Sequence, residues 1–383
     1  ISNVTILHIK CYYICRQHLS VTRVVKTSSK AILKSGLIYL IYFLLAGGFL
    51  LMTGGCDDKD KIEEEIPEVS PESPDKFVYV IFPVNALGDH AYNDLVLAGI
   101  LEAQKKAGFY TMLYAPIDME EGILMLNLAL DGINSAKKGE CLAIIAGNEY
   151  EEATRQWLQG KKLRDGFGDD VLLFETNGTD LPIHTFLINM YGASYIAGSI
   201  ASLFSYQAAV LAANAQDLSI QRSITGFSEG FIDNGGTSVS TCYISDNHEG
   251  YSMQARAYEL TDSLTETHRF IYPIAGGSNQ GVYRYSRENP DKFYTAGMDV
   301  NLSAYSAHIV FSTVKHIDRA VAEYLTAWNE QKELPALHTT YGIGSGHADI
   351  ALVDEYQSSY KDLVEYYRPI VNEKEQIYEE KLP

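Results

Sequence analysis

Gly88-Asp89-His90-Ala91-Tyr92-Asn93-Asp94 lies between an apolar run, Phe77 to Phe82, and a helical pattern, Leu95 to Ala107. The apolar run reads as a buried strand, so the stretch is a strand-to-helix turn. In an open α/β sheet, such turns at the carboxyl ends of strands are where ligands gather. This one holds an aromatic ring, an amide and a pair of carboxylates. It reads as half of a small-molecule site whose other half comes from later turns of the same kind.

Working outward, strands and helices alternate. The first series of strands is Phe77–Phe82, Tyr110–Tyr114, Leu142–Ala146, Val171–Glu175 and Thr185–Asn189. The second is Ala208–Ala212, Val239–Ile244, Arg269–Pro273, Lys292–Gly297 and Ile309–Thr313. Most are continuous apolar runs, the pattern of strands covered on both faces. Helices are expected between them, at Tyr195 to Phe204 and at Val314 to Trp328 among others. In the latter, Val314, Ile317, Val321, Tyr324, Leu325 and Trp328 share a face. Such alternation predicts parallel sheets with right-handed crossovers. Ten strands divide naturally into two Rossmann-like lobes with a ligand cleft between them. No internal repeat is evident. The Tyr-rich, charged segment from Asp354 to Leu382 predicts a surface helix that wraps a lobe.

Charge is unevenly placed. The first 55 residues hold six of the 30 basic residues and no Asp or Glu, leaving 24 basic against 49 acidic residues in the rest. That acidity argues against nucleic acid as a partner, because phosphate binding needs clustered Lys and Arg. Lys26, Lys30 and Lys34 precede an apolar run, Gly36 to Met52, which ends in Thr53-Gly54-Gly55-Cys56. Basic flank, apolar core and small-residue end predict a secretory signal. The terminal cysteine makes it resemble a bacterial lipoprotein signal, with Cys56 lipidated; a plain membrane anchor is the other reading. The acidic, Pro-rich residues that follow predict a solvated tether over 56–75. Cys141 and Cys242 are expected as free thiols in different lobes. No CxxC or HExxH motif occurs, and no metal or cofactor is expected.

Six stretches, in order, resemble the basic membrane protein family, lipid-anchored substrate-binding proteins of ABC transporters. They are the 88–94 turn, Gly192-Ala193-Ser194-Tyr195-Ile196-Ala197-Gly198, Gly226-Phe227-Ser228-Glu229-Gly230-Phe231, Ala275-Gly276-Gly277-Ser278-Asn279-Gln280-Gly281-Val282, Gly297-Met298-Asp299, and Ser312-Thr313-Val314-Lys315. They span roughly residues 77 to 350, and their order gives weight that each lacks alone. The resemblance implies a type I periplasmic-binding-protein fold with three crossings between lobes. The expected division is a leader at 1–55, the tether at 56–75, a first lobe at 76–188 plus 307–334, and a second at 189–306 plus 335–383.

Several members of the family take purine nucleosides, so the resemblance implies a small neutral ligand, an ABC permease as partner, and a lipid-anchored place in the cell envelope. Tyr92 matches the family's stacking ring and Asn93 a base-contacting position. Asp299, after Gly297-Met298 at the end of an apolar strand, matches the carboxylate that takes the ribose hydroxyls. Lys315 matches a lysine near the sugar, and is expected to open a helix. Gly276 and Gly277 offer close backbone approach and free N–H groups. Asp89 and Asp94 can accept from an amine or cap the helix. Gly147 and Asn148 form a third turn, in which Glu149 departs from the family pattern, as do His90 and Ala91. Tyr191 is a candidate second ring. A sensor or sugar receptor on the same fold stays open. A nucleoside-cleaving enzyme would need a carboxylate-rich metal site, for which the Asp89 and Asp94 pair is thin.

Overall fold

The computed structural model describes residues 76–176 and 178–381. The basic leader, its apolar run, Cys56 and the acidic tether lie outside the described residues. Two six-stranded sheets carry the fold. The first contains β1 (Phe77–Ile81), β2 (Tyr110–Tyr114), β3 (Cys141–Ile145), β4 (Val171–Phe174), β5 (His184–Ile188) and β11 (His338–Tyr341), in the order β2-β1-β3-β4-β5-β11. The second contains β6 (Gln207–Ala212), β7 (Ser238–Tyr243), β8 (Phe270–Ile274), β9 (Tyr294–Asp299), β10 (Ile309–Lys315) and β12 (Ala348–Leu352), in the order β7-β6-β8-β9-β10-β12. All pairings are parallel except β10 with β12. The two orders are the same, so the lobes are structural repeats although no repeat is visible in the sequence.

Strand pleating explains the continuous apolar runs. Val78, Val80 and Phe82 point to one face of the first sheet and pack with Val96, Ile100 and Ala103 of α1 (Tyr92–Ala107). Ile81, Ala143 and Ile145 point to the other face and pack with Leu126, Leu130 and Ile133 of α2 (Met119–Ser135). Both faces are covered, so both sets must be apolar. Helix α3 (Glu151–Leu158) adds Trp157 to the second group. The edge strands β2 and β7 are only partly buried.

The second lobe begins with α4 (Tyr191–Ala201), buried along its whole length, which crosses α5 (Leu218–Asp233). The crossing is close because glycines line it. A Cβ at Gly198, Gly226 or Gly230 would lie 2.1, 2.2 or 2.0 Å from the carbonyl oxygens of Phe227, Tyr191 and Tyr195. The two glycine motifs at 192–198 and 226–231 thus serve helix packing. Helices α6 (Gln254–Leu264) and α7 (Asn279–Glu288) pack against each other as a separate pair.

The chain crosses between lobes three times, at 189–190, at His316 and at 342–347. The return segment expected at 307–334 divides. Its strand, Ile309–Lys315, pairs with β9 and β12 in the second sheet. Its helix, α8 (Ile317–Asn329), packs on α1 of the first lobe, where Asp318 lies against Gly99. Likewise β11 joins the first sheet beside β5 rather than the second lobe. Short strands with one polar face, such as His338–Tyr341, carry little sequence signal.

The C-terminal helix α9 (Asp354–Glu380) lies over α4 and grips two of the crossings. Glu375 accepts from the Gly192 N–H at 2.9 Å and the Ile343 N–H at 3.1 Å. Glu379 accepts from Asn189 Nδ2 at 2.7 Å and from the buried Arg222 Nε at 2.6 Å. Burial pushes the Glu375 carboxyl up to about 7.

Candidate functional site

A cavity of about 430 Å³ opens between the carboxyl ends of the two sheets. Its first-lobe wall is the turn after β1. Here Asp89 accepts from the Ala91 and Asn93 N–H groups, both at 3.0 Å, and from Asn93 Nδ2 at 2.9 Å. Asp94 accepts from the Gly88 N–H at 2.9 Å and the His90 N–H at 3.0 Å. The two carboxylates hold the turn between them, and Asp89 satisfies the first N–H groups of α1. Asp89 still faces the cavity; Asp94 does not line it. Tyr92 and Asn93 project into the cavity. With its Nδ2 on Asp89, Asn93 is left with a buried, unpartnered Oδ1, and the buried Tyr92 hydroxyl also lacks a partner.

Asn148 lies after β3, and its side chain crosses to the second lobe. Its Nδ2 donates to Asp217 Oδ2 at 3.2 Å, and its Oδ1 lies 3.1 Å from His248 Nε2. Gly147 is required by Pro83, whose ring would meet a Cβ at 2.7 Å. After β4 comes Glu175, in a left-handed backbone conformation with φ 58°. It accepts from Lys315 Nζ at 2.9 Å and from Ser219 Oγ at 3.1 Å, both in the second lobe.

The second-lobe wall repeats this plan. Asp217, capping α5 through the Ser219 N–H at 2.8 Å, also accepts the Tyr251 hydroxyl at 2.6 Å. Gly276, with φ 51°, and Gly277 follow β8. A Cβ at Gly276 would meet the Tyr251 ring at 3.0 Å, and one at Gly277 would lie 3.7 Å from Asp89 Cβ across the cleft. Asp299 ends β9 at φ 69°, with its Oδ1 buried and unpartnered. Left-handed φ in non-glycine residues is costly and clusters where ligands bind. Here it occurs at both Glu175 and Asp299, the equivalent strand ends of the two lobes.

The electrostatics centre on Lys315. It is the last residue of β10, one strand over from Asp299, and does not open a helix. Burial opposes its charge, but Glu175 and Asp299 together raise its pKa above that of a free lysine. Its ammonium also stands 5.5 Å from the centre of the Tyr92 ring. Burial pushes Asp299 up to about 7, against the pull of Lys315, and Asp89 and Glu175 push the same way. Burial and Asp217 push Glu149 up to about 7, against its hydrogen bond from the Val84 N–H. Burial raises the Tyr92 and Tyr251 hydroxyls well above their usual range, so both are neutral donors or acceptors.

The cavity therefore brings together Asp89, Tyr92, Asn93, Gly147, Asn148, Gly276, Gly277, Asp299 and Lys315 from the sequence reading. Tyr191 is elsewhere: it stacks on Tyr378 of α9 at 4.8 Å and donates to Glu229. The second ring in the cavity is Tyr251, which ends a short 3-10 helix, His248–Tyr251, after β7 and carries no sequence signal. Glu175 and Asp217 were also missed. Glu175 ends an apolar strand just as Asp299 does, and Asp217 precedes a helix as a cap does, so both could have been found by the same rule. Among the described residues, no group of three or more His, Cys, Asp or Glu side chains could hold a metal ion.

Residues 165–381 match a family described as Bmp: ABC transporter substrate-binding protein PnrA-like. The chain belongs to the Bmp family. The matched span carries Glu175, Asp217, Tyr251, Asp299 and Lys315; the 88–94 turn and Glu149 lie outside it. No curated protein matches the Bmp chain. Solved structures share its fold. An ABC transporter solute-binding protein from Aeropyrum pernix K1 has 17% identity and a TM-score of 0.61, over 79% of this chain and 86% of its own. A LacI family regulator from Enterococcus faecalis with bound ribose has 16% identity and a TM-score of 0.53, over 73% and 97%. An ABC transporter solute-binding protein from Burkholderia graminis in complex with D-arabinose has 13% identity and a TM-score of 0.53, over 76% and 99%. The Bmp chain has the type I periplasmic-binding-protein fold. It is a substrate-binding receptor for a small molecule, the family's partner is an ABC permease, and the family places it outside the cytoplasm.

Proposed function

We propose that this Bmp receptor captures a purine nucleoside in the cleft and delivers it for uptake, held to the membrane by a lipid on Cys56. The observation that carries the reading is a pair of rings, Tyr92 and Tyr251, one from each lobe, in a cavity with buried polar atoms left unpartnered at Tyr92, Asn93 and Asp299. A flat base stacks on rings, and ribose hydroxyls need an acceptor such as Asp299. Nucleoside capture adds its own contacts to those that already bridge the lobes, so the closed form is stabilised and presented to the permease. Nothing in this reading calls for a reaction.

A sugar receptor is the second reading, favoured by Asp299 and Lys315 alone, which suit any polyol. Mass spectrometry of small molecules released on denaturing the purified 76–383 chain, followed by calorimetric titration, separates the two. A purine nucleoside binding one to one, weakened in Tyr92→Ala, supports the proposal. Tight binding of a pentose with no heat from any nucleoside overturns it. For the anchor, a Cys56→Ala full-length chain is expected to lose its partition into detergent phase.

A further inference from the structure

Glu149 stands in the short turn Asn148–Tyr150 after β3, at the cleft wall. Its Oε1 accepts from the Val84 N–H at 3.1 Å. No donor among the described residues reaches its other oxygen. The charge that acts on it is of its own sign, Asp217, and Asp217 is already filled by Ser219, Tyr251 and Asn148. The single lysine of the cavity is held by Glu175 beside Asp299, and His248 is turned to Asn148. This corner of the cleft is therefore an acceptor without a donor. A carboxylate oxygen at the cleft wall with no protein donor is free to accept one from a ligand.

We infer that Glu149 selects the base, accepting a hydrogen bond from an exocyclic amino group, so the cleft prefers amino-purine nucleosides to their counterparts lacking that group. This rests on the nucleoside reading. Asp299 takes the ribose side, and Glu149 is the carboxylate left for the base edge. A base that turns a ring nitrogen lone pair to Glu149 faces repulsion where an amino group would donate. Burial and Asp217 raise Glu149 to about 7, so the comparison below is made at pH 8, where its carboxyl is ionised and acts as an acceptor.

The test compares adenosine with purine riboside, and guanosine with inosine, by calorimetric titration of the whole chain. Each pair differs by one amino group. In at least one pair the amino member is expected to bind about 10- to 100-fold tighter, the range of a charge-assisted hydrogen bond. In Glu149→Gln, the carbonyl keeps Val84 and the amide NH2 turns into the cleft, so that preference is expected to vanish or invert. Equal affinity within about twofold in both pairs, or a preference that survives in Glu149→Gln, overturns the inference while leaving the nucleoside reading intact. No binding by any of the four nucleosides overturns both. The wild-type comparison stands even where the variant folds poorly.

Discussion

Glu175 and Asp299 occupy the same place in the two lobes: each follows or ends the fourth strand of its sheet, each has a positive φ, and each faces the cleft. Their surroundings differ. Glu175 is filled by Lys315 and Ser219 from the opposite lobe, whereas the Oδ1 of Asp299 has no partner. One fold position thus serves two ends. In the first lobe the carboxylate ties the lobes together. In the second it is kept empty and raised to about 7. The difference arises because Lys315 sits at the end of β10, in the strand beside Asp299 but within hydrogen-bond reach only of Glu175.

The largest effect on this contrast is expected from Lys315→Met. It leaves Glu175 and Asp299 buried without a cation, so urea denaturation at pH 7 is expected to show a loss of about 3–5 kcal/mol. The loss narrows as the pH falls and the carboxylates take up protons. An unchanged midpoint would mean that the lysine does not hold the pair.

Next in size is the pH dependence of Asp299. Its folded pKa lies above the unfolded value of 3.8, so the native state keeps the proton longer. Its contribution lowers stability as pH rises from about 4 to about 7, and is constant above that. Asp299→Asn is expected to match wild type near pH 4, and to exceed it by a few kcal/mol at pH 8. Glu375 has the same sign, so Asp299→Asn flattens only part of the profile. Failure of the two curves to diverge between pH 4 and pH 7 would show that Asp299 is not desolvated.

The same substitution is expected to weaken nucleoside binding by about 100-fold in calorimetry, because a charged acceptor is lost. Glu175→Gln is expected to weaken it far less and to lower stability instead. Equal losses of affinity in both would break the division between tie and binder. The smallest effect belongs to Ser219→Ala, about 1 kcal/mol from one hydrogen bond across the cleft. Small-angle scattering of the unliganded chain is expected to show a slightly larger radius of gyration.

Much of this was legible beforehand because it is local. All ten expected strands exist, since runs such as Leu142–Ala146 are apolar enough to demand burial on both faces. The 88–94 turn was found because strand-end turns follow from the alternation itself, and Asp299 and the glycine pair at 276–277 because they match short family motifs. The helix Ile317–Asn329 was found too, though Val314, placed in it by its apolar spacing, and Lys315, expected to open it, belong to β10. A strand ending directly before a helix offers no break in the pattern.

The residues alone therefore determined the class of fold, the lobes, the family and most of one wall of the cleft, because these rest on periodicity and on short motifs. Only the tertiary structure decided which strands lie in which sheet, that Tyr251 and not Tyr191 is the second ring, and that Lys315 pairs with Glu175 rather than with Asp299. Those depend on where chain segments about 100 residues apart come together, as Asn148 and His248 do. Burial and charge at such meetings are properties of the assembled cleft, and no single stretch of sequence contains them.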